Sequence, residues 1–158
     1  EDPKRFDLLV QLVFLDMVNG DLELAGRGGR NLVSEPGCET DPMIFDLIAM
    51  TEFGRGRAQE ALRLSKIAFT YVSAGHPFGP EIMGNYAWML LANQKFEETL
   101  DVIDLALRNS PNRLSLLLNR AYALKMLGRK EELAAIETEL IELAPYDRRV
   151  FGNLLLGI

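Results

Sequence analysis

The sequence repeats itself at an offset of 34 residues, and this period limits the folds that the chain can adopt. The segment that begins Asn85-Tyr-Ala-Trp-Met-Leu-Leu-Ala is matched by the segment that begins Asn119-Arg-Ala-Tyr-Ala-Leu-Lys-Met. Pro111 and Pro145 have the same offset, and Asn153 continues the series of asparagines. A period of this length is typical of solenoids, in which each repeat buries its apolar side against its neighbours.

Within each repeat the pattern predicts two amphipathic helices joined by a short turn. In residues 95–109, apolar side chains recur every three or four positions, as they do on one face of a helix; these are Phe96, Leu100, Ile103 and Leu107. The predicted turns lie 36, 38 and 34 residues apart, at Gly20, Gly56, Gln94 and Gly128. Small residues at fixed distances from the turns indicate where two helices cross closely, namely Ala25, Ala61, Ala68, Ala87, Ala106 and Ala121.

Capping residues set the helix boundaries. Asp2-Pro3 and Asp41-Pro42 each place an N-cap acceptor before a proline in the first helical turn. The predicted helices span residues 3–19, 43–55, 58–73, 80–93, 95–109, 113–127, 130–143 and 147–157. Whether 21–33 forms a further helix stays open, with a frayed segment or a loop as the alternative, because Gly26, Gly28 and Gly29 together cost about 3 kcal/mol of helix propensity relative to alanine.

These features resemble the tetratricopeptide repeat family. Residues 80–147 look like two consecutive repeats, 42–79 like a degenerate third and 6–39 like a more degenerate fourth. The resemblance implies a single all-α domain over 1–158, a right-handed superhelix of antiparallel hairpins at about 3–39, 42–79, 80–113 and 114–147, with a C-terminal capping helix at 147–158. The sequence departs from the family pattern at four positions, Tyr86, Thr99, Arg120 and Leu133.

In this family the first helices of successive hairpins line a concave groove, so the resemblance implies a binding site there. One row of predicted groove residues runs Gln11, Leu47, Asn85, Asn119, Asn153, and a second runs Phe14, Met50, Trp88, Tyr122, Leu156. The predicted peptide-binding residues are Asn85, Trp88, Leu91, Asn119, Tyr122, Lys125, Met126 and Asn153, and Gln11, Phe14 and Met50 would extend the groove. Asparagine amides can bond to the backbone of an extended peptide. Two alternatives remain: the asparagines bond within their own hairpins, and the large apolar residues belong to the core.

Composition argues against several other functions. The net charge of −6 does not suit a surface that follows nucleic-acid phosphates. No apolar run approaches the 20 or so residues of a membrane-spanning helix. Gly26-Arg27-Gly28-Gly29-Arg30 lacks the lysine and Ser/Thr of a phosphate-binding loop. The single Cys38 and single His76 each lie in a Gly/Pro-rich loop, and neither a catalytic pair nor metal-ligand spacing is indicated. We therefore expect no enzyme activity, metal or cofactor.

The leading hypothesis is a module that binds another protein or a peptide. A dedicated chaperone for one export substrate is an alternative based on size, charge and class, and a self-assembling structural module, a homo-oligomer, is an alternative of another class. The groove carries Asp46 and Glu81 with Lys125 as its clear cation, so a clamp for an acidic C-terminal peptide is not expected. Because the sequence starts at Glu1, we expect a processed protein or a domain of a larger one. Its compartment stays open, with the cytoplasm and the periplasm as the options for a soluble chain.

Overall fold

The structure is a computed structural model that describes residues 3–108, 113–145 and 147. Within these residues the chain is all-α, as predicted, with eight helices and no strand. The helices are α1 (Pro3–Val18), α2 (Leu22–Val33), α3 (Pro42–Gly54), α4 (Ala58–Tyr71), α5 (Gly79–Ala92), α6 (Phe96–Leu107), α7 (Arg113–Met126) and α8 (Lys130–Leu143). The predicted C-terminal helix, with Asn153 and Leu156, lies outside the described residues beyond Asp147.

The four predicted turns are confirmed by their backbone conformation. Gly20, Gly56 and Gly128 have φ values of 86°, 75° and 71°, and Gln94 has a φ of 59°. Each of these residues ends the first helix of a hairpin with a left-handed conformation, which glycine adopts without steric cost. The third hairpin therefore makes the same turn as the others even though a glutamine occupies its turn position.

The predicted N-cap at the start of α3 is also confirmed. The Asp41 carboxylate accepts hydrogen bonds from the backbone N–H groups of Met43 and Ile44, at 2.8 and 3.4 Å. Pro42 occupies the first turn, where its missing N–H has no helical partner to lose. These bonds satisfy N–H groups that a helix start otherwise leaves unpaired, so the second hairpin begins at a defined residue.

Packing arranges the helices in successive antiparallel pairs. Each helix contacts the next one in the chain, and the first helices of the pairs also contact one another, α1 with α3, α3 with α5 and α5 with α7. Among the described residues, the second helices α2, α4, α6 and α8 make no such contacts with one another. The first helices therefore form the inner, concave side of the stack. The alanines predicted at the crossing points are all buried, namely Ala25, Ala61, Ala68, Ala87, Ala106 and Ala121.

The segment 21–33, for which a helix and a frayed segment or loop were both open, forms the regular helix α2 from Leu22 to Val33, so the frayed or loop alternative is wrong. Its glycines bring the helix close to its neighbours. A Cβ atom added at Gly29 would lie 2.5 Å from Ile48 Cγ1 on α3, and one added at Gly28 would lie 2.7 Å from Val13 Cγ2 on α1. Contacts with the buried Val13 and Ile48 thus offset the low helix propensity of the glycines.

We predict that Gly29→Ala lowers the free energy of unfolding by up to about 2 kcal/mol. The new methyl group gains about 1 kcal/mol of helix propensity, but the clash with the buried Ile48 costs about 1–3 kcal/mol. Gly84→Ala is the matched control, because its Cβ would lie an ordinary 3.5 Å from Leu116 Cδ2. In urea unfolding the control should be neutral or stabilising. A stabilised Gly29→Ala variant would contradict the close packing of α2 on α3.

A buried carboxylate joins the first hairpin to the second. Glu52, at the end of α3, has a side chain only 3% exposed and pairs with Arg30 of α2 at 3.2 Å, with Arg55 at 2.9 Å and with Arg57 at 3.0 Å. Arg55 also pairs with Glu23 of α2. Arg30, the last residue of the glycine-rich motif, is therefore paired with Glu52 within the protein.

The outer face of α1 is apolar and exposed. Leu8, Leu12 and Leu15 follow one another at four- and three-residue spacing and are each more than half exposed, and Val18 extends the row. The terminal repeats of a solenoid need a polar outer face to remain soluble as single units. This face of α1 is therefore an apolar surface that a single copy of the described residues leaves exposed.

Candidate functional site

An open cleft of about 400 Å³ lies on the concave side, where α3, α5 and α7 meet. Four predicted groove residues, Met50, Asn85, Trp88 and Asn119, lie around it. The other residues that line the cleft are Pro80, Glu81, Gly84, Ser115 and Leu116. The structure thus brings residues of three separate hairpins together around one opening.

Trp88 is the largest side chain in the cleft wall. It is 46% exposed, and its ring meets that of Phe53 at 75° with 6.4 Å between centroids. Phe53 supports the indole from the preceding hairpin and holds it at the surface. The core alternative therefore does not describe Trp88. Further along the concave side, Tyr122 and Met126 of α7 are also exposed, at 36% and 50%.

The Asn85 amide bonds to the preceding hairpin. Its Nδ2 donates a hydrogen bond to Oδ2 of Asp46 on α3, at 2.8 Å. An amide has two donor hydrogens and one acceptor oxygen, so this bond uses one donor and orients the group. The alternative that the asparagine bonds within its own hairpin is therefore wrong for Asn85. Asn119 is half-buried in the opposite wall of the cleft.

Asp46 lies directly behind Asn85 and is only 9% exposed. Its Oδ1 is shielded from solvent and has no hydrogen-bond partner among the described residues. Burial, partly offset by the hydrogen bond from Asn85, raises the pKa of Asp46 from 3.8 to about 7. The carboxyl group therefore changes its charge near neutral pH, next to the cleft wall.

Several predicted site residues lie elsewhere. Leu91 is buried in the core against Leu100, Ala123 and Leu124, so it is not available to a ligand and the prediction for this residue was wrong. Lys125 is half-buried, and its Nζ has no hydrogen-bond partner among the described residues. Gln11 and Phe14 are exposed on α1 but do not line the cleft.

Sequence reasoning placed Glu81 in the groove only as an acidic residue and missed Ser115 as a lining residue, although the repeat contained a signal for both. Glu81 precedes Asn85 by four residues, and Ser115 precedes Asn119 by four, so each shares a helical face with a predicted groove residue. The two are also separated by the 34-residue period. Extending the predicted rows by one turn towards the helix starts would have included them.

The surroundings of Cys38 and His76 indicate structural roles for both residues. Cys38 is buried in the apolar core of the first two hairpins. In the loop before α5, His76 accepts a hydrogen bond at Nδ1 from the Phe78 N–H, at 3.2 Å. The described part of the chain contains no group of three His, Cys, Asp or Glu side chains placed to hold a metal ion. Each helix in it is too short or too polar to cross a lipid bilayer.

Comparison with known proteins identifies the fold. No protein-family model matches the sequence, and no curated protein matches it. The structure is similar to a crystal structure of nearly identical TPR-like repeats of a putative kinesin light chain from Podosopora anserina, with a TM-score of 0.74, 18% identity, and coverage of 92% of this chain and 77% of that one. The Q17M variant of those repeats gives a TM-score of 0.75, 17% identity, and coverage of 94% and 78%. The chain therefore has the TPR-like helical repeat fold.

Proposed function

We propose that this protein is an interaction module that holds an extended or amphipathic peptide segment of another protein in the cleft between α3, α5 and α7. TPR-like repeat folds generally mediate protein–protein interactions and typically serve as non-enzymatic scaffolds. The observation that carries the proposal is an exposed, supported Trp88 beside the amides of Asn85 and Asn119. Aromatic anchors of this kind dominate the binding energy of many interfaces.

The chemistry of the cleft suits a polypeptide ligand. Asparagine side chains offer donors and acceptors that match the N–H and C=O groups of an extended backbone. Met50 and Trp88 supply apolar contact area, and methionine adapts to side chains of different shape. A volume of about 400 Å³ is at the small end for a ligand pocket. It would therefore hold one side chain of the partner, with the flanking backbone running along the concave side.

We predict that Trp88→Ala and Asn119→Ala each weaken binding of a cleft ligand at least about tenfold, as expected for central contacts of an interface. The ligand would come from a library of random dodecapeptides displayed on phage and selected on the wild-type protein. Affinities of the selected peptides would be measured by calorimetry for each variant. Tyr122→Ala, further along the concave side, should have a smaller effect.

Leu105→Ala on α6 is the matched control, because Leu105 is an exposed apolar side chain of comparable accessibility on a second helix. It should leave affinity within about twofold of wild type. Thermal unfolding of Trp88→Phe and Trp88→Ala would separate loss of binding from loss of the Phe53 contact. Selected peptides that bind all variants equally would remove the cleft as the site.

Two alternatives remain predictions. A dedicated export chaperone would use the same concave side, and gene neighbours that encode an export apparatus would favour it. Self-assembly would use the apolar face of α1, formed by Leu8, Leu12, Leu15 and Val18, with a second copy as the occupant. A mass in light scattering that stays monomeric at high concentration would count against self-assembly.

A further inference from the structure

In the described part of the chain, the cleft and the residues directly behind it carry negative charges without a positive charge to balance them. Among the described residues that line it there is one carboxylate, Glu81, which is exposed, and no lysine or arginine. A second carboxylate, Asp46, lies behind Asn85 and is about nine-tenths buried. Within the described residues, Asp46 has no ion-pair partner, and its Oδ1 accepts no hydrogen bond.

A buried carboxylate without a cation destabilises the folded protein. The surroundings of Asp46 therefore need an explanation other than stability. Glu52, on the same helix, shows how this chain satisfies a buried acid for structural purposes, since three arginines pair with it. Asp46 has only the neutral Asn85 amide, and burial raises its pKa to about 7. Strongly perturbed groups of this kind occur preferentially at functional sites.

We propose that the cleft accepts a basic side chain of the partner segment, arginine in the first place, beside Glu81 and the Asn85 amide, with the Asp46 carboxylate behind that amide. This inference rests on the proposed peptide-binding function and names the chemistry of its central contact. A guanidinium group carries five N–H donors in a plane, which suits carboxylates and amide oxygens, and it stacks on indole rings. Trp88 lines the same cleft and supplies such a ring.

The net charge supports the same partner chemistry. The chain carries a formal net charge of −6, so a basic segment is attracted at long range as well as in the cleft. Arginine is favoured over lysine because lysine offers a compact ammonium without a planar donor fork. A partly buried site also strengthens the attraction, because solvent screens the charges less than at an open surface.

The test uses the full chain and two peptides that differ in one group. Acetyl-Ala-Ala-Arg-Ala-Ala-amide carries the cation, and the same peptide with citrulline has nearly the same shape without the charge. Trp88 is the only tryptophan of the chain, so its indole N–H signal in NMR spectra reports on the cleft alone. We expect the arginine peptide to bind at least about tenfold more tightly than the citrulline peptide, with the lysine version between them.

The variants Asp46→Asn and Glu81→Gln should each reduce this preference, and the double variant should bring the two affinities to within about twofold. Asp101→Asn, which neutralises an exposed acid on α6, should leave the preference unchanged. Equal affinity for both peptides in the wild type would overturn the inference and leave the peptide-binding function intact. A preference that survives in the double variant would also overturn it. If neither peptide shifts the Trp88 signal at millimolar concentration, both proposals fail.

Discussion

Replacing Asp46 with asparagine is expected to raise the free energy of unfolding at about pH 8 by as much as about 4 kcal/mol. In the folded chain the pKa of Asp46 lies near 7 against an ordinary value of 3.8, so between these values the folded state holds a proton that the unfolded state has released. The stability that Asp46 contributes is present below about pH 4 and is lost as the pH rises through 7. Asparagine has about the same shape, never ionises and can still accept a hydrogen bond from Asn85.

The measurement is urea unfolding of wild type and Asp46→Asn across the range from about pH 4 to pH 8. The difference between the two proteins should be small at the acidic end and should grow as the pH rises, because only the wild type must bury a charge there. Asp101→Asn, an exposed substitution on α6, is expected to change stability by less than about 0.5 kcal/mol throughout. A difference for Asp46→Asn that is independent of pH would contradict the proposed ionisation.

Removing the carboxylate of Glu52 should have the opposite effect on stability. We expect Glu52→Ala to lower the free energy of unfolding by about 2–4 kcal/mol and the melting temperature by roughly 5–15 °C. The main cost is at Arg55, whose side chain is only 10% exposed and would keep Glu23 as its remaining partner. Arg30 and Arg57 are about half exposed, at 52% and 55%, and can turn to water, which limits the loss.

Glu98→Ala provides the comparison, because Glu98 pairs with Lys95 at the surface and both side chains are about half exposed. Exposed pairs of this kind contribute about 0–1 kcal/mol, and added salt weakens them further. Calorimetric unfolding of both variants at low and high salt would therefore separate a buried junction from a surface pair. A similar, small loss for the two variants would show that the arginines around Glu52 do not hold the first two hairpins together.

Much of the fold could be predicted because its turns, caps and helix crossings depend on residues that are close together in the sequence. The left-handed turns, the Asp41 N-cap and the buried alanines are of this kind, and the turns recur every 34 to 38 residues. Helix α2 could not be predicted in the same way. Its glycines are unfavourable as isolated residues, and what compensates for them is close contact with Val13 and Ile48, which are distant in sequence.

Only part of the candidate site could be predicted, because the sequence gives the position of a side chain in the repeat but not its contacts with other hairpins. Met50, Asn85, Trp88 and Asn119 follow from the repeat register, and they meet around one cleft. Whether a side chain at such a position is exposed depends on its neighbours in other hairpins, and for this reason the prediction for Leu91 was wrong. The properties of Asp46 could not be derived either, because its pKa depends on burial behind α5, which no local pattern records.

The pattern of contacts along the stack has a consequence for how this sequence can diverge. Each described helix contacts the helices next to it in the chain. Beyond these, and within the described residues, the first helix of a hairpin contacts only the first helices of the adjacent hairpins. A substitution in one hairpin therefore affects packing within that hairpin and against its neighbours, and has little effect on more distant hairpins. Individual units can drift away from a shared pattern, one at a time, while the stack persists. The first hairpin packs on the second through its glycine-rich α2 and the arginine-bound Glu52, and the helices that follow keep the same order of contacts.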